Sequence, residues 1–318
     1  MYIFADNGNY FDSNKTLKSL LISFLLLISI SSWGQSPLSS FFTPADSLHT
    51  NRLKTVVISE SIAIPLGFMG LHQLWYKNYP TSDFHFINDN YQWMQMDKVG
   101  HVYSAYYLSK LGADLLHWSG VDKKKQLIYG AGLGFIVIST VEVFDGFSAQ
   151  WGASKGDLLA NATGAGLYVA QQLLWKEQKI IPKFSFHYTP YASARPNLLG
   201  DNFANQILKD YNGQTYWLSV NLNSVFSSKK IPNWLNIAVG YGAEGMVTAE
   251  NKLVNSVFFP EKERTRQFYL SLDVELRKIK TKSAFLKTVF ETVNMIKIPA
   301  PTFEINHRGE IKGHLIYF

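Results

Sequence analysis

Apolar residues follow two different rhythms along this chain. Up to about residue 180 they recur three and four apart, in segments long enough for helices; beyond that they recur every second residue. The first rhythm predicts helices over about Thr55–Trp75, Asp97–Leu116, Lys125–Phe144 and Lys155–Trp175. Pro65 falls inside the first and should bend it. Gly130, Gly132 and Gly134 on the third helix, with Gly164 and Gly166 on the fourth, predict close helix packing. The loop between the first two helices carries Trp75, Tyr76, Tyr79, Phe84, Phe86, Tyr91 and Trp93. Aromatics at that density read as a membrane-interface belt or as a packed surface loop.

The second rhythm predicts strands. Leu218, Val220 and Leu222 alternate with Trp217, Ser219 and Asn221; Leu235, Ile237 and Val239 with Asn236, Ala238 and Gly240; Phe268, Leu270 and Leu272 with Tyr269, Ser271 and Asp273. Shorter strands are expected near Phe184–Tyr188, Thr302–Asn306 and Ile311–Phe318, the last two joined by a turn at His307-Arg308-Gly309, and a helix is expected near Ser283–Met295. The fold class is therefore α+β: an N-terminal bundle of about four apolar helices, then a C-terminal antiparallel β-sheet or partial barrel. About six strands fall short of the roughly eight in the smallest single-chain membrane barrels. That favours a sheet whose apolar face packs on the helices, at or in an outer membrane.

The N-terminus points to export. Lys15 and Lys18 precede the apolar run Leu20–Ile30, and Ser32-x-Gly34 forms a small-x-small cleavage site. The expected organisation is a signal peptide over 1–34, a leader over 35–54, a helical bundle with a polar cluster over 55–180 and an antiparallel β domain over 181–318. Aromatic content of 15% and charged content of 17% fit an envelope protein, with the outer membrane favoured over the inner membrane or periplasm. The net charge of +6 is carried by dispersed lysines. No basic stripe interleaved with stacking aromatics is present, which excludes nucleic acid and favours envelope lipid or glycolipid, or an outer-membrane protein complex, as partner. With no cysteine, disulfides, thiolate metal sites, cysteine nucleophiles and an acylated cysteine are all excluded.

Ionisable groups punctuate the apolar helices as Asp97-Lys98-x-x-His101, Glu142-x-x-Asp145 and Ser154-x-x-Asp157-x-x-x-Asn161-x-x-Gly164. Such groups are costly among apolar helices unless they pair, bind something or face water. Asp97 and His101 open their helix, Glu142 and Asp145 close the next, and Asp157 and Asn161 open the one after. Up-down packing of short-looped helices brings all three pairs to one end. The candidate site is His101, Glu142, Asp145, Asp157 and Asn161. His101, Glu142 and Asp157 could hold a divalent metal, or His101 could work as a base tuned by a carboxylate. The alternative is a structural hydrogen-bond network, with Asp97 and Ser154 as helix N-caps. His117, His187, His307 and His314 lack ligand-spaced partners, and no nucleophile elbow or phosphate loop is present.

Met96-Asp97-Lys98-Val99-Gly100-His101, Glu142-Val143-Phe144-Asp145-Gly146-Phe147-Ser148, Trp151-Gly152-Ala153-Ser154 and Asp157-Leu158-Leu159-Ala160-Asn161 resemble the bacterial family of predicted periplasmic lipoproteins called domain of unknown function 2279. The long form with a C-terminal sheet is similar to the version in Bacteroidetes-type envelopes. The helices are more distantly similar to VanZ-like membrane proteins, which carry Asp-Lys-x-x-His, Glu-x-x-Gln and Asp-x-x-x-Asn-x-x-Gly helices. Asp145 stands where those have Gln, and Trp151 where Arg is usual. The resemblance selects the same site residues but supplies no reaction. The expected function is that of an envelope protein, scaffold-like rather than enzymatic, with a buried polar cluster. The alternative is a metal-assisted or acid–base enzyme acting on an envelope lipid or glycan.

Overall fold

Helices appear where the first rhythm places them. The computed structural model describes residues 37–226, 228, 230–250 and 264–318, so the expected signal peptide lies outside the described residues. Helix α1 covers Thr50–Tyr76, α2 Met96–Trp118, α3 Lys123–Gly146 and α4 Lys155–Leu174. The chain forms two compact units. One comprises the stretch to Thr43 with Thr281–Val289, within which the Phe42 and Phe285 rings meet at 5.3 Å. The other, Pro44–Lys280 with Phe290–Phe318, contains all four helices and the sheet.

Within that larger unit α2 is the central helix, packed against both α3 and α4. Its glycine neighbours explain how close the helices come. A Cβ on Gly164 would lie 2.1 Å from the Val102 carbonyl oxygen, and one on Gly134 would lie 2.3 Å from Leu108 backbone atoms. Gly130 is equally tight against Ala113, but Gly132 and Gly166 meet nothing within 4 Å. Gly134→Val should therefore destabilise the protein by about 1–3 kcal/mol through forced separation of α2 and α3. Gly166→Val should leave the melting temperature unchanged or slightly raised. Thermal melts followed by circular dichroism distinguish the two.

Helix α3 starts at Lys123, two residues earlier than expected, because Asp122 caps it by accepting from the Lys125 amide at 3.1 Å. Helix α1 is tied down at its start, where the His49 amide donates to the Ser119 carbonyl at 2.9 Å and Arg52 donates to the Trp118 carbonyl at 3.1 Å. Beyond that its only buried residue is Val56. By length and composition α1 and α3 could each cross a membrane.

The aromatic loop is packed in part, with Phe86 and Tyr91 left exposed. Trp151 sits between the Tyr76 and Tyr79 rings, at 5.5 and 4.7 Å. A short parallel pair, β1 (Phe86–Ile87) with β2 (Ala153–Ser154), ties the loop to the start of α4.

The second rhythm yields six antiparallel strands in chain order: β3 (Ile180–Phe186), β4 (Gln214–Asn221), β5 (Leu235–Glu244), β6 (Thr265–Val274), β7 (Ala300–Asn306) and β8 (Ile311–Tyr317). Helix α5 (Ala284–Val293) interrupts the series, and Gly309, with φ +83°, makes the last turn. The sheet curls, so the Tyr317 hydroxyl on β8 reaches Tyr269 on β6 at 2.7 Å and Thr215 on β4 at 3.3 Å. On the outer edge of β3, the Phe184 amide and carbonyl bond Met295 and Lys297. The concave side is polar: Lys183 and Asp273 meet at 2.7 Å, both without solvent exposure.

The expectation that the apolar face packs on the helices holds at β3 and β4. There the Tyr107 hydroxyl donates to the Pro182 carbonyl, and the Tyr103 ring lies beside Phe184 and Tyr216. On β5 that face reaches the start of α2 through Tyr241, which packs against Met96, and beyond that it is open. Val239, Leu270 and Phe303 are 51%, 51% and 66% exposed.

Candidate functional site

The cluster begins with an unusual bend. Trp93, Met94 and Gln95 all adopt left-handed conformations, with φ of 48°, 50° and 65°. Each costs about 1–2 kcal/mol for a side-chain-bearing residue. The bend is held from outside: the Trp93 amide donates to the Ala249 carbonyl at 2.8 Å, and the Tyr241 hydroxyl donates to the Met94 carbonyl. The chain thereby enters α2 abruptly, with Met96 fully buried and Asp97, Lys98 and His101 over the ends of α3 and α4. Gln95, not Asp97, occupies the N-cap position. The Asp97 carboxylate instead turns into the cluster and accepts from the Tyr211 hydroxyl at 2.7 Å.

His101 lies at the centre. Its Nδ1 is 2.9 Å from Asn161 Oδ1, while the Asn161 amide nitrogen faces Ser139 Oγ at 3.4 Å. A carbonyl oxygen only accepts, so Nδ1 carries the hydrogen and Nε2 is the ring nitrogen that faces the carboxylates. Nε2 is 3.6 Å from Glu142 Oε1 and 3.9 Å from both Asp97 Oδ1 and Asp157 Oδ1. Donor atoms of Asp97, His101 and Asp157 all lie within 4.8 Å of one another.

The remaining carboxylate oxygens are occupied. Glu142 accepts from the Ser154 amide at 2.9 Å, Asp157 from Lys98 at 2.8 Å, and Asp89 from the Ser154 hydroxyl at 2.6 Å. Lys98 also reaches Asp89 at 2.7 Å. Two atoms are left over: Glu142 Oε1 and Asp157 Oδ1 are buried and accept no hydrogen bond. These are the same two oxygens that face His101 Nε2.

Four carboxylates (Asp89, Asp97, Glu142 and Asp157) thus share one ammonium and one imidazole. Burial pushes the Asp157 carboxyl up to about 6, helped by Asp97 and opposed by His101 and Lys98. Burial opposes the charged form of His101, but Asp97, Asp157 and Glu142 outweigh it and raise its pKa. Burial works against Asp89 in the same way, yet hydrogen bonds from Lys98 and Ser154 hold it below the usual range. The N-termini of α2 and α4 both point into this group and favour its negative charge. Ser154 caps α4, receiving the Asp157 amide at 3.2 Å. One imidazole nitrogen and two buried carboxylate oxygens without hydrogen-bond donors converge on a common point.

Of the residues expected from sequence, His101, Glu142, Asp157 and Asn161 come together. Asp145 sits one turn further along α3, where it accepts from the Tyr76 hydroxyl at 2.7 Å. Sequence reasoning left out Asp89, Asp97, Tyr211 and Lys98 as site members, taking Asp97 for a helix cap. Lys98 lay inside the Asp-Lys-x-x-His spacing and could have been found there. Asp89 and Tyr211 lie outside any periodic segment and carry no such signal. His314, expected to be unpartnered, bonds Glu304 at 2.8 Å inside the sheet.

A model of a family described as a predicted periplasmic lipoprotein, domain of unknown function 2279, matches residues 85–172. Asp89, Asp97, His101, Glu142, Asp145, Asp157 and Asn161 all lie in that span, while the six-stranded sheet lies outside it. The match supports an exported envelope protein. No curated protein and no solved structure matches the chain.

Proposed function

We propose that the protein is an outer-membrane-associated envelope protein whose helices are tied together by a divalent cation held by His101, Asp97, Asp157 and Glu142. One observation carries this reading: two buried carboxylate oxygens, Glu142 Oε1 and Asp157 Oδ1, face His101 Nε2 and accept no hydrogen bond. A cation there would satisfy both and offset the excess of buried carboxylates. One imidazole nitrogen with carboxylate oxygens suits Mn²⁺ or Zn²⁺. Asn161 has the part of an outer partner, fixing the tautomer and tilt of the imidazole. Because the ligands come from α2, α3 and α4, the cation contributes to stability directly, in keeping with a scaffold-like role.

A second reading keeps the same ligands and adds chemistry on an envelope lipid or glycan. It is favoured by Asp97, whose side chain is 28% exposed and leaves one side of the donor set within reach of solvent. The bound cation would then supply Lewis-acid polarisation. The likeness to VanZ-like membrane proteins and to the Bacteroidetes-type long form belongs to this proposal. Asp145 and Trp151 depart from the VanZ-like pattern, so a glycopeptide-resistance role is not part of it. Glu142→Gln, with fold and abundance held normal, should cause an unprocessed envelope lipid or glycan to accumulate if the second reading holds. An unchanged envelope supports the scaffold.

Elemental analysis of the full-length protein, purified without chelator, should find about one Mn or Zn per chain. After chelation, calorimetric titration with each metal should show a saturable site. Absence of both bound metal and titration heat would falsify the cation centre. Metal binding requires ionised Glu142 and Asp157 and neutral His101. Burial pushes the Glu142 carboxyl up to about 8 and the surrounding carboxylates raise His101, so affinity should hold above about pH 8 and fall below it, by roughly tenfold per pH unit for each proton displaced. The membrane assignment is tested by fractionation: high-salt washing should leave the protein in the outer-membrane pellet, and its release as a soluble periplasmic protein would overturn that part.

A further inference from the structure

The C-terminal sheet is built inside out. In a soluble antiparallel sheet one face is apolar and buried, and the other is polar and wet. Here the buried face is polar. Asp273 receives Lys183 at 2.7 Å and the Ser219 hydroxyl at 2.6 Å, Asn236 donates to Ser219 at 2.8 Å, and Asn221 donates to Asn236 at 2.8 Å. This bonding fixes the register, because a slip of one residue would bury the opposite face and leave those groups without partners.

The outward face is apolar and continuous across hydrogen-bonded strands. Register places Val239, Leu270 and Phe303 in one row over β5, β6 and β7, with Phe268 and Ile305 adjacent in the next. Each of these five side chains is between 46% and 66% exposed. A patch of this extent on a soluble monomer marks a surface that something covers.

Two features identify what covers it. Phe268 to Val274 rises roughly 20 Å at about 3.3 Å per residue, close to the ~25 Å apolar band of outer-membrane strands. Past its far end the strand leads to the exposed Lys278 and Lys280, whereas Arg264, Arg266 and Arg277 are engaged within the protein by the Thr248 carbonyl, Gln95 and Glu275. An apolar band that ends in exposed lysines complements acyl chains beside anionic headgroups. A water-soluble partner would have no reason to require that height.

We propose that the outward face of β5–β7 is a lipid-facing surface, in contact with the acyl chains of an anionic bilayer. The proposal deepens the membrane part of the function above and is independent of the cation centre. It also explains why the polar core is so fully bonded: in lipid the sheet cannot rely on the hydrophobic effect to hold its faces in place, so interior ion pairs and hydrogen bonds must do so.

The absence of native cysteine makes the test direct. Val239→Cys, Leu270→Cys and Phe303→Cys each create one spin-label site on an exposed position of the full-length chain, and Ser271→Cys creates an inward control. The labelled proteins are reconstituted in vesicles of phosphatidylethanolamine and phosphatidylglycerol, and nitroxide collisions with oxygen and with a water-soluble nickel complex are measured. All three outward labels should collide several-fold more with oxygen than with nickel, whereas Ser271→Cys should be shielded from both. Nickel-dominated collisions at the outward sites would overturn the proposal in favour of a wet surface. Shielding from both reagents there would overturn it in favour of a covering protein or second copy. The unmodified chain must also float with these vesicles after a high-salt wash, and failure to float counts against the proposal even if a labelled variant misfolds. Protein pelleting with membranes while the outward labels stay wet would leave the membrane assignment standing and this surface refuted.

Discussion

His101→Ala should weaken Mn²⁺ or Zn²⁺ binding by at least about 100-fold, and Asn161→Ala by about 10- to 100-fold. The ranking follows from the geometry. His101 supplies the nitrogen that faces Glu142 Oε1, Asp97 Oδ1 and Asp157 Oδ1 at 3.6 to 3.9 Å, whereas Asn161 only fixes which ring nitrogen keeps its hydrogen. A purely structural network predicts the opposite order for stability without metal, since Asn161 is fully buried and bridges His101 to Ser139. Saturating metal at about 100 times its Kd should stabilise the wild type by about 2.7 kcal/mol, and His101→Ala by almost nothing. Titration calorimetry paired with melts, with and without metal, reads both quantities. Equal metal-induced stabilisation of wild type and His101→Ala would rule out His101 as a ligand.

Much of this architecture was legible in the residues because periodicity is a local property. The alternation through Trp217-Leu218-Ser219 and Tyr269-Leu270-Ser271 sufficed to place β4 and β6, and the apolar runs placed the four long helices. β3 was harder. Ile180-Ile181-Pro182 has no alternation to detect, and only pairing with β4 shows that Ile181 points inward. Alternation also cannot say which face is buried. That is decided by the Lys183–Asp273 contact, between residues far apart in sequence.

The site shows the same division. His101, Glu142, Asp157 and Asn161 could be gathered because helix length and up-down packing fix which ends meet. Asp89 reaches the cluster from an irregular loop, and Tyr211 from just before β4, so no spacing rule reaches either. The glycines were half legible. Gly130, Gly134 and Gly164 lie at helix contacts, whereas Gly132 and Gly166 face away, a distinction set by helix rotation and not by composition.

Lys183→Met should cost about 3–5 kcal/mol, the range for removing one partner of a buried ion pair. The ammonium has no solvent exposure, bonds Asp273 at 2.7 Å and donates to the Val274 carbonyl at 2.8 Å. Methionine fills the space but leaves a buried carboxylate with the Ser219 hydroxyl, the Ile298 amide and a more distant Lys297 at 3.9 Å. Combining Lys183→Met with Asp273→Leu should recover part of the loss, because the uncompensated carboxylate is gone. Recovery should be incomplete, since Lys297 then loses its carboxylate neighbour and Ser219 its acceptor. Leu270→Ser, on the outward face of β6, should change stability in detergent by less than about 1 kcal/mol. A conventional sheet reverses this order, tolerating polar changes at the wet lysine and suffering from loss of the leucine. Chemical denaturation of the full-length protein, followed through loss of sheet signal, measures all three variants. Greater sensitivity at Leu270 than at Lys183 would mean that the apolar face, not the ion-paired one, holds the sheet together.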